Sequence, residues 1–218
     1  DELQDIYFYP EYVGMHKFIK GTKSLLFTFK EEENIWLHPF LLQPIDSDAF
    51  SLNGGPWFDI ESAYGYGGPL SNTEDKDFLD NANEQFSEWC MENNVVAEFV
   101  RFHPLLNNQC WTSRNTKVDY DRNTVSQNLK NIDVDDPPFS GKVRNMLKRV
   151  EKAGIRIDVY DPIENFSHFE KIYLAKMSRI SADSYYYFSE AYFSNLSELL
   201  IGNGWLVGAT LDGEWIGA

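Results

Sequence analysis

The stretch "NIDVDDPPFSGK", residues 131–142, constrains the chain more than any other. It is acidic, it carries Pro137 and Pro138 in succession, and a helix pattern begins directly after it. Consecutive prolines remove backbone donors and fix φ, so no regular element is expected to run through this point. A chain of 218 residues broken there has room for a core on each side. The expected division is residues 1–130 and 131–218, with α+β content in both parts.

Ahead of the break, "DIYFYPEYVGMHKFI" predicts a brief strand and then a helix opening after Pro10. "SLLFTFK" and "NIWLHPFLLQPI" flank the charged turn "EEEN" and predict an antiparallel hairpin. "WFDIES" predicts a short strand leading into "ESAYGYGGPLSN", where Gly65, Gly67, Gly68 and Pro69 interleave with Tyr64 and Tyr66. Phe78, Ala82, Phe86 and Trp89 recur at helical spacing, and acidic residues fill the first turn of that helix, as its dipole favours. Strands are expected at "VVAEFVRFHPLL" and "NTKVDYD". After the break comes a helix over about 141–153, capped by Ser140 and stopped by Gly154. Strand "IRIDVYD", two helices and a hairpin turning on Asp212-Gly213 complete the pattern. The last apolar run is cut at Ala218, and a hairpin with an apolar face needs further cover, so the chain is expected to be a fragment.

An apolar fraction of 43% and an aromatic fraction of 16% belong to a globular chain. No run reaches the roughly 18 apolar residues that span a bilayer, and the acidic N-terminus lacks the order of a signal peptide. Cys90 and Cys110 have no framework spacing and are expected to be free thiols in a reducing cytoplasm. The formal charge of −15 argues against non-specific binding to nucleic acid or anionic membrane. Lys142, Arg144, Lys148, Arg149, Lys152 and Arg156 nevertheless form a basic island opposed only by Glu151.

Four places in the chain bear on chemistry. The glycines of "YGYGGPL" let main-chain N–H groups approach a ligand closely, with tyrosines as flat walls; the same residues also make an ordinary connector. The helix beginning at Gly141 has an apolar stripe of Val143, Met146 or Leu147, and Val150. Its cations near the N-terminal turn oppose the dipole unless an anion, such as a pyrophosphate or carboxylate, sits there, or unless the face is simply solvated. In "VRFHP", Arg101 and His103 alternate with Val100 and Phe102 and would share a strand face, Arg101 turned to a cleft and His103 serving as a base or as a structural imidazole. Of Tyr185, Tyr186 and Tyr187, which cannot all face one way, Tyr186 is the choice for acceptor contact over a core or interface role. The four histidines and two cysteines lack zinc spacing, and no Walker loop, G-x-S-x-G elbow or GxGxxG turn occurs.

Taken in order, "SAYGYGGPL", "EFVRFHPLLNN", "KVRNMLKRVEKAGIRI", "YYYFSEAYF" and "WLVGATLDGEWIGA" resemble the FemAB-type transferases. These are a branch of the GNAT-like acyltransferases that acylate amines on cell-wall precursors or related sugars and peptides. The resemblance runs from about Asp5 to the end and is nearest to the acetyltransferase-like bacterial members, in a peptidoglycan setting. It implies two GNAT-like folds side by side, the second incomplete here, with substrate in the cleft between them.

The resemblance implies substrate contacts for Tyr64, Tyr66, Gly67, Gly68, Arg101 and Tyr186. Through the R-x-x-x-[KR] helix pattern it implies acceptor binding by Arg144 and Lys148, with Arg149 in reserve. The implied donor is acetyl-CoA or another acyl-CoA. Aminoacyl-tRNA is also open to the family but disfavoured by the charge. The acceptor would be a small molecule, sugar-nucleotide or peptide, and no metal is implied. The donor's pyrophosphate turn, Q/R-x-x-G-x-G/A, has no match in residues 139–218. A non-catalytic GNAT-like module binding a sugar-nucleotide or peptide is therefore the alternative, and no catalytic base is assigned.

Overall fold

The computed structural model describes residues 5–46, 48–50, 53–133 and 137–218. Positions 134–136 of the acidic break lie outside the described residues. The chain is α+β with a mixed sheet, and it divides into two compact units, Asp1–Asn123 and Thr124–Ala218. The sequence places that division at 130/131.

The first unit opens with a 3-10 turn at Ile6–Phe8, where a strand is expected, and then α1, Pro10–Met15. Pro10 stands at the first helical position, where its missing N–H is no loss. Strands β1 (Lys23–Glu31) and β2 (Asn34–Pro44) form the expected hairpin, in register from Lys23 opposite Leu42 to Glu31 opposite Asn34. Strand β3 (Phe58–Glu61) pairs with the far end of β2, and the two-residue β4 (Leu70–Ser71) pairs with Leu37 and Trp36 nearer its start. The chain between β3 and β4 therefore leaves the sheet over the part of β2 that carries His38. Helix α2, Lys76–Glu92, is capped by the Asp75 carboxylate and leads to β5, Val95–Phe99, which runs parallel to β3. A β–α–β crossover thus sits on an otherwise antiparallel sheet of order β1-β2-β3-β5.

Alternation along β2 decides the core. Trp36, Phe40 and Leu42 join Ile60 and meet Phe78, Ala82 and Phe86 of α2. Leu41 faces the other way and packs with Val13 of α1 and Ala63. A strand buried on both faces reads as a nearly continuous apolar run, as "IWLHPFLL" does. His38 shares the α2 side at 2% exposure.

In the second unit, α3 (Gly141–Lys152) begins at Ser140, whose hydroxyl accepts from the Val143 N–H at 3.4 Å. Strand β6 (Arg156–Tyr160) pairs antiparallel with β7 (Leu206–Leu211), and β7 with β8 (Glu214–Gly217). Asp212 and Gly213 turn the last hairpin with positive φ at both, as a right-twisted two-residue connection requires. Helices α4 (Pro162–Arg179) and α5 (Glu190–Leu199) cover one face of this sheet through Phe166, Phe193 and Leu206.

Two further expected strands differ. The run at 115–121 carries no strand. The run at 95–106 ends at Phe99, because the Arg101 N–H is taken by the Ser62 hydroxyl at 3.1 Å instead of a ladder partner. Beyond that point the run makes only a single bridge, Gly67 to Phe102. Among the described residues, no helix is long and apolar enough to cross a membrane.

Candidate functional site

Because β3 and β5 are parallel, the segments leaving them, Ser62 to Pro69 and Val100 to His103, start from the same edge of the sheet. Hydrogen bonds bind these exits together. The Ser62 N–H donates to Phe99 O at 3.2 Å, and the Gly67 N–H donates to Arg101 O at 2.8 Å. Fully buried Asn108 then clamps the turn. Its Nδ2 donates to Gly67 O (2.8 Å) and Pro69 O (3.1 Å), and its Oδ1 accepts from the His103 N–H (2.9 Å).

The glycines of the turn allow the chain to approach itself. At Gly65, with φ of +104°, a Cβ would strike the Tyr7 ring. At Gly68, with φ of +95°, it would fall 2.9 Å from Asn108 Nδ2 and 3.0 Å from Phe102. The open side of the turn is aromatic. Tyr66 lies edge-on to Tyr7 (5.2 Å) and to His103 (5.5 Å), while Tyr64 is exposed. The Tyr12 hydroxyl donates to Tyr64 O at 2.8 Å.

Arg101 is exposed and His103 is buried, so the two do not share an environment as the expected strand would give them. The Leu105 N–H donates to His103 Nδ1 at 3.3 Å, which assigns the proton to Nε2, 3.2 Å from the Asp5 carboxylate. Both ring nitrogens are thereby occupied. Burial, then the Asp5 charge, holds the Tyr7 hydroxyl above its usual pKa.

The second unit holds the other candidates. Arg144, Lys148 and Arg149 are exposed on α3, and Arg144 Nε donates to Phe139 O at 3.0 Å. Tyr186 ends a 3-10 turn, Ser184–Tyr186, with its carbonyl accepting from the Tyr173 hydroxyl at 2.9 Å. Tyr185, Tyr186 and Tyr187 all remain exposed, and the Tyr185 and Tyr186 rings meet edge to face at 5.4 Å. Tyr64, Tyr66, Gly67, Gly68 and Arg101 are thus brought together in one unit, whereas Arg144, Lys148 and Tyr186 belong to the other.

A site that the sequence does not announce lies between β2, β5 and α2. Here is a cavity of about 240 Å³ with His38 and Glu98 in its wall. His38 Nε2 and Glu98 Oε1 are 2.6 Å apart, the imidazole 2% exposed and the carboxylate side chain 31% exposed. His38 Nδ1 is buried with no hydrogen-bond partner, which fits a neutral ring with its proton on Nε2, since a second N–H would be left unsatisfied. Trp36, Phe86 and Cys90 add an apolar wall. Burial, and then the charge of Glu98, pushes the Cys90 thiol up to about 12. That disfavours a thiolate nucleophile at neutral pH.

The segment after Asn108 forms one wall of the cavity. Trp111 O accepts from Trp36 Nε1 (3.0 Å) and from Asn83 Nδ2 (3.1 Å), so Thr112 and Thr116 are held over α2. The only signal for this site in the sequence is one polar residue, His38, on the buried parity of an apolar strand. Its partner, 60 positions away, leaves no local trace. Among the described residues no three His, Cys, Asp or Glu side chains are grouped to hold a metal ion. Cys90 and Cys110 are free thiols.

No family model matches the chain, and neither a curated protein nor a solved structure matches it.

Proposed function

We propose that the chain serves N-acyl transfer of the FemAB/GNAT-like type, moving an acetyl or aminoacyl group to an amine of a cell-wall, sugar or peptide acceptor in the cytoplasm. The observation that carries this reading is the gathering of Tyr64, Tyr66, Gly67, Gly68 and Arg101 at the carboxyl ends of two parallel strands. Open sheets offer ligand crevices at such ends. Arg101 supplies an exposed cation for an acceptor carboxylate or phosphate, and Tyr64 supplies an exposed aromatic face. Within the second unit by itself, Arg144 and Lys148 offer two exposed cations four residues apart on α3 for an anionic ligand.

The donor would be an acyl-CoA, in better accord with a formal charge of −15 than a charged tRNA. The helix after the turn does not fit the donor's diphosphate. Its start carries Glu74, Asp75 and Asp77, and the Asp75 carboxylate already takes the Phe78 N–H at 2.9 Å. No donor contact is therefore assigned to that helix.

The second reading is a non-catalytic module that binds a sugar-nucleotide or peptide. It is favoured by His103, whose two ring nitrogens are both engaged and which is thus not offered as a base.

The test is thiol release from acetyl-CoA with a panel of amines and amino sugars. On the acyltransfer reading, the chain turns over at least one acceptor, and Arg101→Ala lowers kcat/KM about tenfold or more, the worth of a charged hydrogen bond. The double variant Arg144→Ala/Lys148→Ala should weaken an anionic acceptor and leave a neutral one alone. Saturable acceptor binding without turnover by any donor would favour the module.

A further inference from the structure

The cavity at His38 has a larger, more acidic neighbour. Beside it lies a groove of about 520 Å³ that shares Asn83, Ser87, Ser113 and Asn115 with it. The groove is lined along α2 by Asp80, Glu84 and Glu88, at four-residue intervals on one helix face. Its one arginine, Arg114, is already paired with Asp80 at 2.7 Å. Two carboxylates of the groove and one in the cavity thus have no cation to meet among the residues that line these spaces.

The carboxylate beside His38 is the more telling, and it is open to solvent, its side chain 31% exposed. Glu98 Oε1 lies 2.6 Å from Nε2 of the almost fully buried His38, in a wall that includes Trp36 and Phe86. No lysine or arginine is among the described residues of this wall. The volume, below the roughly 300 Å³ at which pockets for drug-sized ligands begin, suits one end of a slender molecule and not a nucleotide. Methylene groups would lie against Phe86 and Cys90, and an ammonium against Glu98, with the hydroxyls of Thr112 and Thr116 nearby.

We propose that this adjoining cavity and groove bind an aliphatic diamine or polyamine, one ammonium at the His38–Glu98 pair and a second at Glu84 and Glu88 on α2. The site is distinct from the glycine–tyrosine turn, and binding there needs no acyl donor, so it stands whether or not the chain transfers acyl groups.

Calorimetric titration of the whole chain with spermidine, with butylamine and with sorbitol tests it. Spermidine should bind saturably at one site, butylamine at least tenfold more weakly, and sorbitol not at all. Glu98→Gln should cost about tenfold or more in spermidine affinity, and Glu84→Gln/Glu88→Gln several-fold. The control Glu31→Gln/Glu32→Gln, at the β1–β2 turn, removes the same charge from the same acidic protein and should change nothing. Ser87→Tyr, on the exposed face of α2 where the two spaces meet, should block binding while leaving the unfolding midpoint unchanged; it decides the matter if Glu98→Gln fails to fold. Equal weakening by the control pair, or full affinity in both Glu98→Gln and Ser87→Tyr, overturns the proposal in favour of diffuse attraction to a polyanion.

Discussion

The glycine–tyrosine turn and the His38 cavity lie in the same unit and share Pro69 as a boundary, yet they treat their polar groups in opposite ways. In the turn, each close approach is filled by the chain itself. Tyr7 lies against Gly65, Asn108 against Gly68, and the Gly67 amide and carbonyl are both bonded internally. The cavity wall holds His38, whose buried Nδ1 has no hydrogen-bond partner, and Glu98, whose side chain is 31% exposed. Permissive backbone is thus a device for packing as readily as for binding. Unspent polar capacity next to free space is the better guide to a ligand.

Cys90 puts that contrast to its severest trial. With its thiol pushed up from 9.0 to about 12 by burial and by Glu98, its thiolate fraction near neutral pH falls about a thousandfold. Alkylation with iodoacetamide at pH 8 should therefore modify exposed Cys110 and spare Cys90 until the chain is unfolded. Equal rates, read by mass spectrometry of the two peptides, would mean that the cavity wall is neither dry nor anionic.

Next in size is Asn108→Ala, which strips bonds from two carbonyls and an amide in a fully buried place. A loss of about 3 kcal/mol in urea unfolding is expected, since each buried polar group left unsatisfied costs about 1–3 kcal/mol. Asn108→Asp refines the result, because it keeps the acceptor for the His103 N–H but loses the donor to the carbonyls. A cost under about 1 kcal/mol for the alanine variant would show that water replaces the clamp and that the turn is open after all.

The smallest effect is one of pH. Burial holds His16 below the usual 6.5 despite its bond to Tyr12 O, so the folded chain keeps this ring neutral where the unfolded chain protonates it. Stability from this group is complete above about pH 6.5 and is lost as pH falls below that value. His16→Gln should flatten that part of the curve of unfolding midpoint against pH. An unchanged slope would assign the acid sensitivity elsewhere.

Local elements are legible because their signals are local. Ser140 caps α3, Asp212-Gly213 turns the last hairpin, and Phe78, Ala82 and Phe86 mark the buried stripe of α2. Errors arise where a distant group intervenes. The Ser62 hydroxyl takes the Arg101 N–H and so ends β5, which separates Arg101 from the buried environment of His103. Of the candidate residues, those of the turn and Arg101 are readable together because consecutive elements of one crossover carry them. Glu98 is not, since alternation on an exposed edge strand says nothing about what its side chain meets.

Periodicity, capping residues and turn chemistry, acting over a few positions, are enough for the sequence to specify the order and type of most elements. It takes the assembled sheet to bring His38 to Glu98 across 60 positions, and to let Asn108 close the turn from 39 to 41 residues away. The physical reason is that such contacts come from the register and crossover of the sheet. Those depend on burying both faces of β2, and no short stretch of residues encodes that.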